Sequence, residues 1–106
     1  MALNPQRAEV WLVDLGMAAK VRPGVVLSIP ALDTDRALVT LIPHTTSGRH
    51  TRFEVDINAH FLHPGVFDAQ NPVTIPIAKL IRRLGVLSPA QIKQIEAATK
   101  LWLGLD

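Results

Sequence analysis

The chain has 106 residues, 48% of them apolar and 19% charged, with no cysteine and a formal net charge of +2 at pH 7. This length supports one domain, residues 1–106, and the missing cysteines exclude disulfide staples, thiol nucleophiles, iron–sulfur clusters and Cys-type zinc sites. So small a net charge does not by itself predict nucleic-acid binding, but seven of the eleven cations are arginines, the side chain suited to bidentate phosphate contacts.

The charged fraction lies below the ~25% usual for soluble domains, and the mean hydropathy is +0.23. A membrane span does not account for this apolarity, because no apolar stretch approaches the ~18 residues required. The first nine residues lack the basic start and apolar core of a secretory signal. A cytoplasmic protein with no membrane partner is expected.

Apolar residues recur in short runs, which predicts strands over the first two thirds of the chain. Residues 9–15 (Glu-Val-Trp-Leu-Val-Asp-Leu) form the first, ended by Gly16. After a turn through Arg22-Pro23, residues 24–29 form the second, closed by Pro30. Residues 37–42 form a third, apolar on both faces and therefore central, ending before Pro43. Residues 53–57 alternate with period two, as a fourth strand with one wet face would. The proline-rich stretch 64–76 admits only short edge strands, around Val66-Phe67 and residues 73–75. Residues 79–84 read as a last strand in preference to a helical turn. The C-terminus then shows Ser88 as an N-cap, Pro89 in the first helical position and Gln91 completing a capping box. Ile92, Ile95, Ala98, Thr99 and Trp102 follow helical spacing, Glu96 and Lys100 are an i,i+4 pair, and Gly104 is the stop. Short strands and one terminal helix predict a mainly β fold, a small antiparallel barrel or half-barrel with the helix packed on it.

No generic catalytic motif is present: a phosphate-cradling Gly-rich loop, a His-Glu-x-x-His pair and a Gly-x-Ser-x-Gly elbow are all missing. Of the four histidines, His60 and His63 fall one residue short of i,i+4 ligand spacing and His44 and His50 lie in or beside a loop. No metal or cofactor is expected. Two polar clusters flank apolar strands: Lys20-Val21-Arg22-Pro23 before the second, and residues 44–52 (His-Thr-Thr-Ser-Gly-Arg-His-Thr-Arg) after the third. If those strands pair as an antiparallel hairpin, Arg22 neighbours Thr45 at one rim of the sheet. A cation beside hydroxyls and loop amides is what an oxyanion or phosphate needs, although Arg-Pro and Ser/Thr/Gly runs also serve ordinary turns.

The blocks Glu-Val-Trp-Leu-Val-Asp-Leu (9–15), Lys-Val-Arg-Pro-Gly-Val-Val-Leu-Ser (20–28) and Ile-Pro-His-Thr-Thr-Ser (42–47) together resemble the MazF/PemK toxins of bacterial type II toxin-antitoxin systems. The resemblance continues through Phe53-Glu54-Val55, Ala69-Gln70 and Leu84-Gly85-Val86-Leu87 into the terminal helix, covering nearly the whole chain in order. It implies an SH3-like barrel that works as a homodimer, is held by a cognate antitoxin protein, and cuts single-stranded RNA without metal, leaving a 2′,3′-cyclic phosphate or 3′-phosphate and a 5′-hydroxyl. Arg22 and Thr45 then match the family's catalytic arginine and threonine. His44 has a suitable pKa for a general acid/base, although the family commonly has an apolar residue there. Lys20, Thr46, Ser47, Arg49, Arg52 and Gln70 are the candidate RNA-binding residues. The loop 16–21 is shorter than in many members and lacks the acidic residue often found before the Arg-Pro. Pro64-Gly65 stands where Pro-Ser is frequent. The alternative is a binding protein on the same barrel, either a CcdB-like DNA gyrase poison or a non-catalytic RNA binder. The surplus of apolar residues predicts two protein contacts, a dimer interface and an antitoxin groove.

Overall fold

The computed structural model describes residues 3–16 and 20–105; part of the turn expected over 16–21 therefore lies outside the described residues. Seven strands, β1 (Glu9–Asp14), β2 (Val21–Val26), β3 (Leu38–Thr45), β4 (Glu54–Val55), β5 (Val66–Asp68), β6 (Val73–Pro76) and β7 (Leu80–Val86), precede one helix, α1 (Pro89–Leu103). They form one antiparallel sheet in the order β4-β5-β3-β2-β1-β7, with β6 also paired to β3. The end strands β4 and β7 are not paired with each other, so the expected barrel is a half-closed one.

β3 is the hub. One edge pairs with β2 over Leu41–Pro43, and the other pairs first with β6 over Leu38–Leu41 and then with β5 over His44–Thr45. Its burial on both faces follows from strand alternation. Val10, Val25 and Ile42 point to one face, where they pack with Phe67, Leu87 and Ile95 of α1. Trp11, Val13, Val26, Val39 and Leu41 point to the other, against Leu80. The apolar residues at successive positions of β1, β2 and β3 thus serve two clusters on opposite sides of one sheet.

The strand limits differ from expectation at the prolines. β2 begins at Val21 and runs through Arg22-Pro23, ending three residues before the predicted limit. Pro23 pairs with Leu12 of β1 but lies just outside the β2–β3 ladder, which starts at Gly24, so its missing N–H interrupts nothing there. β3 likewise continues through Pro43 to Thr45, because Pro43 falls where the free edge changes partner from β6 to β5. The fourth strand contracts to Glu54–Val55, although the predicted alternation persists: Phe53 and Ile57 are buried and Asp56 is exposed. Residues 77–79 form a short 3-10 helix ahead of β7.

Helix α1 has the expected ends. Ser88 Oγ accepts from the Gln91 amide at 3.2 Å, Gln91 Oε1 accepts from the Ser88 amide at 2.8 Å, and Gly104 closes the helix with φ 70°. Ile95, Ala98 and Thr99 are buried, while Trp102 is 44% exposed and meets Phe53 edge-on at 5.4 Å. The expected Glu96–Lys100 pair is replaced by a longer-range one. Glu96 pairs with Arg7 at 2.6 Å, and Arg7 also donates to the Leu27 carbonyl, so the N-terminal segment, the end of β2 and the helix are tied together.

Two close approaches shape the packing, one in the core and one beside the second polar cluster. A Cβ on Gly85 would sit 2.5 Å from the Phe61 ring, and one on Gly65 would sit 2.2 Å from the Thr45 carbonyl and 2.8 Å from His44 Cε1. His44 is 3% exposed and lies edge-on to Phe67 at 5.0 Å. Burial lowers its pKa below the usual imidazole value; Asp56 opposes this and His63 reinforces it. Gly85→Ala should cost about 1–3 kcal/mol through displacement of the Phe61 ring, measured by denaturant unfolding. The imidazole is neutral in the fold under conditions where the unfolded chain already binds a proton. The component of stability linked to His44 should therefore fall as pH drops from about 7 toward 5, and His44→Leu should remove that component from the pH–stability curve.

Candidate functional site

An open cleft of about 480 Å³ lies where β2, β3, the 46–53 loop and β5 meet. It is lined by Arg22, Pro43, His44, Thr45, Ser47, Arg49, Thr51, Glu54, Asp68, Gln70 and Asn71. The β2–β3 register, Val26↔Leu41, Val25↔Ile42 and Gly24↔Pro43, continued two residues sets Arg22 opposite Thr45. Paired residues share a face, so both belong to the face of Val26 and Leu41. The sheet therefore delivers a guanidinium and a hydroxyl to the same rim from residues far apart in sequence.

The hydroxyl is oriented as well as placed. Thr45 Oγ1 accepts a hydrogen bond from the Ser47 amide at 3.1 Å, which leaves its own proton available to donate into the cleft. His44 occupies the next position and, by alternation, the opposite face, beside Ile42 and Phe67. It nevertheless reaches the cleft wall, and its buried Nε2 has no hydrogen-bond partner among the described residues.

The loop after β3 is organised around a carboxylate. Glu54 accepts from the Arg49 amide at 2.9 Å and 3.0 Å through its two oxygens, and from the Thr51 amide at 2.8 Å. These bonds, Arg49 first and Thr51 next, hold its pKa below the ordinary carboxylate range. His50 stands between them in the left-handed region with φ 59°. Across the β4–β5 ladder Glu54 faces Asp68 directly, and Asp68 Oδ1 accepts from the Gln70 amide at 3.1 Å.

Of the residues singled out in the sequence, Arg22, His44, Thr45, Ser47, Arg49 and Gln70 come together at this cleft. Lys20, Thr46 and Arg52 do not line it. The Arg52 guanidinium lies over the Phe53 ring at 4.6 Å, which gives it a packing role beside the cleft. Glu54, Asp68, Thr51 and Asn71 were missed as site residues. Glu54 could have been suspected from its place next to a basic loop, where a lone acid needs a partner; Asp68 and Asn71 carried no comparable signal. Among the described residues no group of three or more His, Cys, Asp or Glu side chains could hold a metal ion, and no helix is long and apolar enough to cross a membrane.

Solved structures of known proteins share this fold. Similar solved structures include an endoribonuclease in complex with its cognate antitoxin from a mycobacterial species, 29% identical, with a TM-score of 0.82 over 96% of this chain and 97% of that one. Mycobacterium tuberculosis toxin MazF-mt6 is 27% identical, with a TM-score of 0.74 over 92% of this chain and 98% of that one. A MazE-MazF structure from Deinococcus radiodurans, 20% identical with a TM-score of 0.82, covers 98% of this chain and 99% of that one and shares the fold. Residues 6–103 match the family described as "PemK-like, MazF-like toxin of type II toxin-antitoxin system", and with nearly its whole length accounted for, the chain belongs to the PemK/MazF-like toxin family.

Proposed function

We propose that the chain is an endoribonuclease that cuts single-stranded RNA without a metal ion, by attack of the neighbouring 2′-OH on phosphorus. The observation that carries this reading is the convergence of Arg22 and Thr45 on one face of one cleft, with the Thr45 hydroxyl already held by the Ser47 amide. It is supported by similar structures described as endoribonucleases.

The chemistry divides among these side chains. As the 2′ oxygen bonds to phosphorus, the phosphoryl oxygens gain negative charge that needs donors already in place. Arg22 supplies a permanent positive charge and a bidentate fork, and acts as an electrostatic stabiliser because its own proton is too tightly held to be shuttled. Thr45 donates its hydroxyl to a phosphate oxygen and keeps the group in line for displacement. The 2′-OH gives its proton to a base as the O2′–P bond forms, the P–O5′ bond breaks, and the departing 5′ oxygen takes a proton from solvent water, giving a 2′,3′-cyclic phosphate and a 5′-hydroxyl. We assign the base to His44, whose burial keeps the imidazole neutral and whose Nε2 is uncommitted within the described chain. Ser47, Arg49 and Gln70 contact the flanking nucleotides from the cleft wall, and Lys20, Thr46 and Arg52, which do not line it, are proposed to meet more distant phosphates.

The apolar surplus belongs to protein partners. Leu101, Trp102, Leu103 and Leu105 are exposed at the end of α1, as are Ile29 and Leu32 between β2 and β3. Separate patches of this kind mark contacts with other chains. A second copy of the chain and a cognate antitoxin are their proposed occupants, in the cytoplasm where the messages are.

Purified protein should cut mixed-sequence single-stranded RNA in the presence of EDTA, and Arg22→Ala or Thr45→Val should slow cleavage by about 10²–10³-fold. Equal cleavage by wild type and both variants would remove the mechanism, whereas growth arrest with intact messages would point to a gyrase poison. His44→Gln should abolish the acidic limb of the pH–rate profile; an unchanged profile would remove His44 alone from the mechanism. In sedimentation at micromolar concentration the protein should run as a dimer.

A further inference from the structure

A carboxylate on the wall of a phosphate-binding cleft is electrostatically misplaced. Glu54 lines the same cleft as Arg22 and Arg49, where its charge would repel an RNA phosphate. It also stands directly opposite Asp68 in the β4–β5 ladder, and like charges at facing positions destabilise a sheet. Two independent costs at one position call for a compensating role.

The hydrogen bonds supply it. Successive backbone N–H groups around a residue in the left-handed conformation form a concave nest for an anion. Here the Arg49 and Thr51 amides converge on the Glu54 carboxylate on either side of left-handed His50, whose amide adds a weaker contribution. The loop closes tightly around this anchor. Thr51 Oγ1 accepts from the Phe53 amide at 3.3 Å, the Glu54 amide donates to the Thr51 carbonyl at 3.2 Å, and a Cβ on Gly48 would approach Val66 Cγ2 to 3.0 Å. Several N–H donors meet the Glu54 charge and offset part of its repulsion toward the cleft.

Resting on the reading of the cleft as an RNA site, we propose that Glu54 is a positioning residue: its carboxylate fills the amide nest of residues 49–51 and thereby holds Arg49 at the cleft wall to receive a substrate phosphate. Without that anchor the exposed 46–52 loop keeps short-range bonds at Ser47 and Thr51 that do not hold Arg49, and ordering Arg49 would cost free energy each time RNA binds. The loss therefore falls on binding and not on the chemical step.

The test is a double-mutant cycle read by binding of a fluorescent, mixed-sequence single-stranded DNA, which offers phosphates but lacks the attacking 2′-OH. Glu54→Ala and Arg49→Ala should each weaken binding about tenfold, and the double variant should be no weaker than either single one, because both remove the same contact. Glu54→Gln, which keeps one acceptor oxygen in place, should recover part of the loss. Slowed amide exchange at Arg49 and Thr51 should disappear in Glu54→Ala while its circular dichroism spectrum stays that of the wild type. On cleavable RNA, Glu54→Ala should raise KM and leave kcat unchanged. Tighter binding by Glu54→Ala would show that the carboxylate merely repels RNA, and independent, multiplying losses would show that it does not act through Arg49; either overturns the proposal. Coupled losses in a protein that binds the DNA but cuts no RNA would overturn the cleavage reading and leave the clamp standing. A wild type that binds no DNA would overturn both.

Discussion

Everything at the cleft depends on the register between β2 and β3. Val25 against Ile42 and Val26 against Leu41 are fully or almost fully buried pairs on opposite faces of the sheet. A slip by one residue would exchange the two faces and force each side chain into the cluster shaped for its neighbour. The register is therefore locked from two sides by the hydrophobic effect, and Arg22 and Thr45, two positions beyond the last paired residues, inherit it. The precision of the polar site is borrowed from the grease beneath it.

The same dependence explains which features could be read in the sequence. Burial patterns and end signals were legible: β3 as a strand apolar on both faces, the alternation across residues 53–57, and the capping box of α1 each express local physics in local residues. The Arg22–Thr45 neighbourhood was legible too, because a hairpin assumption plus residue counting suffices. Strand limits at Pro23 and Pro43 were not. A proline argues against a ladder only where its missing N–H would have been used, and that depends on which neighbour lies beside it. Nor could the partner of Glu96 be foreseen, since an adjacent lysine on the helix and a distant arginine at residue 7 are equally plausible until the chain ends are placed.

Within the site, the family resemblance pointed to Arg22 and Thr45 as candidates, and the acids that border them emerged only from the fold. Glu54 and Asp68 meet because two very short strands, β4 and β5, pair at their ends. Periodicity carries little information over two or three residues. His44 illustrates a different difficulty. Alternation sends it to the face opposite Thr45, and yet the close approach of Gly65 and Phe67 leaves it at the boundary between core and cleft.

The strand order also sets a schedule for the molecule's birth. β1 leaves the ribosome well before its second neighbour, β7, and the cluster around Val10 is completed only by Ile95 of the terminal helix. The first needs synthesis to pass Val86 and the second to pass Ile95. The scaffold that aligns the cleft is thus completed only once the helix itself has been made, so a nascent segment can carry the cleft residues before it has the fold that aligns them.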